Sequence, residues 1–201
     1  MNCMHCYCSG GPVCGSCSEV HERWWGLVLP KPSVFRKTEI DRLKREWPGL
    51  SSAYDQVLAW TPKSKKGLVL HGETGHGKTR CTWVMLRKVY DSGYRLNAFT
   101  GTGFANDCSE AFFAGHGAEW SRKISKCDIL FIDDIDKASF TDRVSSEMFN
   151  VIDSLTSNGG KLIVTTQVKG QEFVDRFKNQ STGEPLRRRI SEFCTAIPFN
   201  L

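Results

Sequence analysis

Gly67-Leu68-Val69-Leu70-His71-Gly72-Glu73-Thr74-Gly75-His76-Gly77-Lys78-Thr79 is the stretch that decides how this chain is read. The short apolar run Leu68–Leu70 reads as a buried strand, and it runs straight into glycines at 72, 75 and 77. Gly72 to Thr79 fits G-x-x-x-x-G-K-[ST], the pattern of a phosphate-cradling loop between a strand and a helix. Each residue type has a physical reason. Glycines let the backbone turn sharply and aim several N–H groups at one anion. A helix beginning at Lys78 adds the positive end of its dipole. Lys78 supplies a point charge for β- and γ-phosphates, and the Thr79 hydroxyl is placed to ligate magnesium. Gly72, Glu73, Thr74, Gly75, His76, Gly77, Lys78 and Thr79 are therefore the expected nucleotide cradle.

A phosphate loop needs a carboxylate-bearing partner strand. Asp128-Ile129-Leu130-Phe131-Ile132-Asp133-Asp134 lies about fifty residues downstream. Four consecutive apolar residues predict a strand buried on both faces, ending in two carboxylates. This is the Walker B arrangement, in which Asp133 holds magnesium and Asp134 orients and activates the attacking water. Between the two motifs, Thr79 to about Tyr90 reads as a helix and Leu96–Thr100 as a second strand. A helical pattern around Phe104–Phe113 and a short helix near Ala118–Ile124 follow. This polar, aromatic region is either a substrate-contacting insertion or an ordinary crossover.

Further on, Thr141–Leu155 reads as a helix and Lys161–Thr166 as another buried strand, with Gln167 at its carboxyl end. Ligands of parallel sheets gather at those ends, so Gln167 is a candidate polar sensor of the γ-phosphate or the water. Gln171–Phe177 predicts a short helix, Gly183–Ile190 begins another, and Ala196–Phe199 closes as the last strand. Arg187, Arg188 and Arg189 project in different directions around that helix, which argues against one task for all three and leaves surface or DNA-phosphate contacts to two of them. One of them is expected to act as a finger toward the nucleotide of a neighbouring subunit.

The 201 residues allow one sizeable α/β core with a small appendage. No apolar run approaches the roughly 18–20 residues of a membrane helix. Met1 is followed by cysteines and polar residues, so no signal peptide is expected and the cytoplasm is the expected compartment. A formal charge of +5 permits nucleic-acid contact without arguing for it.

Five of the nine cysteines fall within residues 3–17. Cys3-x-x-Cys6 and Cys14-x-x-Cys17 are two knuckles that predict a closed tetrahedral zinc site, with Cys8, His5 and His21 as alternative donors. So short a module has no core of its own, and Zn2+ would supply most of its folding energy. Residues 22–37 read as an aromatic linker. Thr38–Trp47 predicts a helix opened by a capping-box-like Thr38/Asp41 pair, and a second helix capped by Ser51 or Ser52 runs to Trp60. The expected division is a Cys-rich module over 1–21, linker and helices over 22–60, and an α/β core with a parallel sheet over 61–201.

With loop, Walker B strand, sensor position and terminal arginines in this order, residues 36–201 resemble the AAA+ ATPases of the DnaC/DnaI helicase-loader group. The IstB-type transposition helpers are close relatives. The resemblance implies a lidless AAA+ core that binds ATP with Mg2+, oligomerises on ATP binding, and has weak turnover alone. It places the arginine finger at Arg189 and the catalytic roles on Lys78, Asp134 and Gln167, although the group has Asn at the position of Gln167. It implies a replicative hexameric helicase and single-stranded DNA as partners, in a bacterium or its phage, with no membrane role. It also makes residues 1–21 look like the helicase-docking zinc module of DnaI-like loaders. Two other functions fit the same residues: an IstB-like transposition helper, and a non-hydrolysing zinc- and ATP-bound DNA-binding scaffold.

Overall fold

The computed structural model describes residues 38–178 and 180–201. The expected zinc module and aromatic linker, residues 1–37, lie outside the described residues. In chain order the elements are α1 Ile40–Glu46, a 3-10 turn Pro48–Leu50, α2 Ser51–Ala59, β1 Gly67–Gly72, α3 Lys78–Asp91 and β2 Leu96–Thr100. Then come α4 Gly101–Phe113, α5 Gly117–Ser125, β3 Ile129–Asp133, a 3-10 turn Ile135–Lys137 and α6 Asp142–Ser157. The chain finishes with β4 Lys161–Thr166, α7 Gln171–Val174, α8 Gln180–Phe193 and β5 Cys194–Phe199.

All paired strands are parallel, in the order β2-β3-β4-β1-β5. The central strands are apolar on both faces, as a sheet covered by helices on each side requires. In β3, Ile129 and Phe131 face the core formed with α1, α2 and α3 (Leu43, Tyr54, Val57, Trp83, Leu86). Leu130 and Ile132 face the opposite core, which contains Phe104 of α4, Met148 and Ile152 of α6, and Leu186 and Ile190 of α8. Placing β4 between β3 and β1 brings the carboxyl ends of the three strands together, and loops at that edge carry the site.

The first helices start differently from the expectation. α1 begins at Ile40 with Glu39 in the cap position and no side-chain cap, and the Thr38 hydroxyl is buried without a partner among the described residues. Trp47 leaves the helix at φ −130°, ψ 70°, because the residue before a proline is pushed out of the α region. Neither Ser51 nor Ser52 caps α2. The Ser51 amide already donates to the Pro48 carbonyl of the preceding turn, and Ser52 accepts from Gln56. By contrast, Thr141 does cap α6 through the Val144 amide, and Thr100 caps α4 through the Gly103 amide.

Candidate nucleotide-binding and catalytic site

The phosphate loop is held from behind by the first core. Tyr54 donates its hydroxyl to the His76 carbonyl at 3.0 Å, and the His76 ring lies 2.8 Å from the Phe199 carbonyl through Nδ1. Trp47 packs on the same ring with centroids 4.8 Å apart. The His76 side chain is therefore buried in the fold, and only its backbone is left to serve the cradle. Gly72 adopts φ +142°, and a Cβ there would sit 2.4 Å from the Phe199 carbonyl oxygen. Gly77, at φ +74°, turns the chain into α3. A Cβ at Gly75 would meet nothing within 4 Å, so the middle of the loop faces open space.

Lys78 is buried, and its Nζ donates to the carbonyls of Gly72 at 2.7 Å and Glu73 at 2.8 Å. Burial lowers the Lys78 pKa, while Asp134, Asp133 and Asp136 pull it back up. The ammonium is thus held on two loop carbonyls, within electrostatic reach of three carboxylates.

Asp133 joins the two motifs. Its Oδ1 accepts from Thr79 Oγ1 at 2.8 Å and from Thr165 Oγ1 at 2.5 Å. Burial raises its pKa; the two hydroxyl donors oppose that shift, and the neighbouring Asp134 adds to it. The Thr165 oxygen also accepts from the Asp134 amide at 2.8 Å. Sheet register produces this cluster: Ile132 pairs with Val164, so the next residues along each strand, Asp133 and Thr165, stand side by side.

Asp134 has φ 48° and is the one non-glycine with positive φ among the described residues. Such strain in a carboxylate-bearing turn often accompanies a functional site. Its Oδ2 meets Lys137 Nζ at 2.6 Å, and that pairing raises the Lys137 pKa. Gln167 sits at the end of β4, its amide donating to buried Asp136 at 3.1 Å.

The three arginines of α8 differ sharply. Arg187 pairs with Glu184 on its own helix. Arg189 pairs with Asp153 of α6 and Glu192, and its guanidinium lies over the Phe149 and Phe193 rings. Arg188 is exposed and forms no salt bridge among the described residues.

The geometry brings Lys78, Thr79, Asp133 and Asp134 into one cluster at the carboxyl edge of the sheet. Sequence reading overlooked Thr165, Asp136, Lys137 and Tyr54. The hydroxyl at the end of the Leu162–Thr166 run was the only signal for Thr165.

The donor set fits a magnesium–nucleotide complex. A hydroxyl and a carboxylate, both hard oxygen ligands, lie 2.8 Å apart beside a lysine and an open glycine loop. Among the described residues no His/Cys/Asp/Glu group of three could hold a metal by itself, and the expected zinc ligands Cys3, Cys6, Cys14 and Cys17 are outside those residues. Cys81, Cys108, Cys127 and Cys194 are free thiols. No described helix is long and apolar enough to cross a membrane.

A parallel sheet in this order, with the phosphate loop between β1 and α3 and a double carboxylate ending β3, defines a P-loop nucleotide-binding protein of the AAA+ class. Residues 50–182 match the bacterial DnaA ATPase domain, and the chain belongs to that family. It is 29% identical over 119 residues to the chromosomal replication initiator protein DnaA of Campylobacter jejuni subsp. jejuni, covering 57% of this chain and 27% of that protein. The matched stretch thus spans about a quarter of the length of the curated relatives. The fold is also that of replication initiator DnaA bound to AMPPCP and single-stranded DNA, with a TM-score of 0.62 and 18% identity over 75% of this chain and 45% of the other. The DnaC helicase loader superposes with a TM-score of 0.60 and 17% identity, over 88% of this chain and 98% of that one.

Proposed function

We propose that the protein is an ATP-dependent loader of a replicative helicase onto single-stranded DNA, acting as an oligomer in a bacterial or phage-infected cytoplasm. The observation that carries the reading is the Thr79–Asp133–Thr165 cluster beside Lys78. It supports a site that binds a nucleoside triphosphate and also positions a water for hydrolysis.

Lys78 and the loop amides bind the phosphates, which frees the lysine from the Gly72 and Glu73 carbonyls. Magnesium, when bound by Thr79 and Asp133, neutralises phosphate charge. Asp134 accepts the proton of the attacking water at Oδ1, with Oδ2 held by Lys137. Gln167 orients that water from the end of β4. Arg189 stabilises the charge developing on the nucleotide of the adjacent subunit, with Arg187 and Arg188 as the alternatives on the same helix. Zinc bound by Cys3, Cys6, Cys14 and Cys17 builds the docking module for the helicase.

The motif order shared with the loader group supports this reading. The test is capture of a hexameric replicative helicase by the full chain, with and without ATP, together with turnover in the presence of single-stranded DNA. A chain that captures no such helicase in any nucleotide state refutes the loader reading.

One observation favours a second reading. The family match is to the ATPase domain of an initiator, which supports an initiator-type ATPase acting on DNA as the second reading. Specific binding to duplex origin fragments without helicase capture would decide for the initiator.

A further inference from the structure

We propose that the edge of the sheet opposite the nucleotide site is a groove for single-stranded nucleic acid. Lys126, Lys161 and the Lys63–Lys66 turn engage phosphates there, and Tyr94 stacks a base. The inference rests on the DNA-directed reading above and adds a specific place for the strand.

Because the strands are parallel, their amino ends all lie on one edge. Along it the order β2-β3-β4-β1 places Arg95, Lys126, Lys161 and Lys66 just before or at the start of successive strands. At about 4.8 Å per strand the row runs about 15 Å, the reach of several phosphates. The row is knitted together by backbone bonds. The Asp128 amide donates to the Arg95 carbonyl and the Lys161 amide to the Asp128 carbonyl, each at 2.9 Å. Lys161 Nζ reaches the Lys65 carbonyl at 3.1 Å, which sets two lysines side by side.

A groove of about 450 Å³ opens here, lined by Pro62, Tyr94, Arg95, Lys126, Asp128 and Lys161 among others. Its single acidic lining residue among the described residues, Asp128, is already bound by Arg95 through Nε and NH2. Among the described residues no carboxylate forms a salt bridge with the remaining lysines. Helix-end electrostatics account for Lys126, which caps the carboxyl end of α5. They do not account for Lys161 at the start of a strand or for Lys63, Lys65 and Lys66 in a turn, all but Lys161 exposed.

The chemistry points to a nucleic-acid strand. Lysines are point charges without fixed direction and suit a repeating phosphate chain, whereas carboxylates of a protein partner are best met by bidentate arginine. A half-buried tyrosine at the groove wall offers a stacking face that a splayed base can reach and a paired duplex base cannot. A cationic groove with an interleaved aromatic is how strands are held without sequence reading.

The test is fluorescence anisotropy with a labelled oligothymidylate of about 20 nucleotides and the full chain, titrated across salt. Lys126→Gln/Lys161→Gln should weaken binding about tenfold or more at low salt. It should also flatten the salt slope by about 1.4, the value for two lost phosphate contacts at about 0.7 each. Tyr94→Ala should weaken binding about tenfold with the slope unchanged, and Tyr94→Phe should restore it. Nucleotide binding of the lysine variant should match the wild type, and its thermal transition should fall by no more than about 2–4 °C, the loss of the Lys126 helix-end charge. Wild-type protein that fails to bind the oligonucleotide, or lysine variants that bind it normally, overturn the proposal. Lysine variants that lose capture of an acidic protein while keeping the oligonucleotide overturn it too, and assign the groove to that protein. Failure of the loader reading appears separately, in helicase capture.

Discussion

Thr165 Oγ1 donates to Asp133 Oδ1 at 2.5 Å and accepts the Asp134 amide at 2.8 Å. One hydroxyl thus fixes the carboxylate expected to hold magnesium and the backbone of the residue expected to move the proton. Loss of a group that orients a metal ligand typically costs about 10–100-fold in affinity or activity. Thr165→Val keeps the volume and removes the hydroxyl. It should lower magnesium-dependent turnover about 10–100-fold while leaving magnesium-free nucleotide binding near wild type. Thr165→Ser should recover most of the loss. Equal turnover for the Val and Ser variants would dismiss the positioning role.

Asp133 illustrates a site held at a cost to stability. Burial raises its pKa, with Asp134 adding to the shift, so the folded chain holds this proton more tightly than the unfolded one. The penalty is absent below the ordinary carboxylate pKa of about 3.9 and grows as pH rises through the raised value. Asp133→Asn keeps an acceptor for Thr79 and Thr165 and removes the charge. In nucleotide-free protein at pH 7 it should raise Tm. The gain should shrink toward pH 4, and magnesium-dependent turnover should be lost throughout. A gain independent of pH, read by calorimetry, contradicts the electrostatic cause.

Asp134 separates backbone from side chain. Its φ of 48° is tolerated by Asn and Asp far better than by other side chains. Asp134→Asn should therefore fold like wild type, bind ATP and fail to turn it over. Asp134→Ala removes the same carboxylate and also carries the strain of the left-handed turn, roughly 1 kcal/mol. A Tm for the Ala variant about 2–4 °C below that of the Asn variant is expected. Equal Tm values would mean that the turn relaxes freely.

Much of this site was legible because its signals are local. Gly72–Thr79 and Ile129–Asp134 each carry strand, turn and functional group in one contiguous run. Thr165 was not legible, since nothing in Val164-Thr165-Thr166-Gln167 states that β4 inserts between β3 and β1. Only the pairing of Ile132 with Val164 sets Thr165 against Asp133. His76 shows the same limit from the other side. The loop pattern leaves its position open, and the Phe199 carbonyl and Trp47 claim its ring. The capping expectation at Thr38 failed because α1 starts only at Ile40, with Glu39 in the cap position, and that at Ser51 because the turn opened by Pro48 runs straight into α2 and leaves Leu50 there.

The zinc expectation concerns residues 1–21 and needs a measurement on the full chain. Elemental analysis should find one zinc per chain, retained on dialysis without chelator. Cys6→Ser/Cys17→Ser should release it, because each substitution breaks one of the two knuckles. Nucleotide binding should survive the loss, as the phosphate loop is braced by Tyr54 and Phe199 of the core. Full zinc content in the double variant would shift the ligand set to Cys8, His5 and His21.

Arg189 lies against α6, anchored by Asp153 and stacked over Phe149, with part of its side chain still exposed. In the loader reading proposed above, Arg189 leaves these intrachain contacts to act on the next subunit, and it then does not serve Lys78 of its own chain. The consequence is complementation. Lys78→Ala loses the nucleotide site but keeps its arginine, and Arg189→Ala keeps the site but loses the cation. Each variant alone should be inactive under conditions where the wild type assembles and turns over. Mixed in equal amounts, they form some boundaries with an intact loop on one side and an intact arginine on the other. Turnover should then recover to a measurable fraction of wild type and rise with total protein concentration. An identical mixture with Arg188→Ala tests the exposed neighbour, which makes no salt bridge among the described residues. If Arg188→Ala alone is inactive and is rescued by Lys78→Ala, while Arg189→Ala keeps its turnover, the finger is Arg188 and Arg189 is an internal tie between α8 and α6.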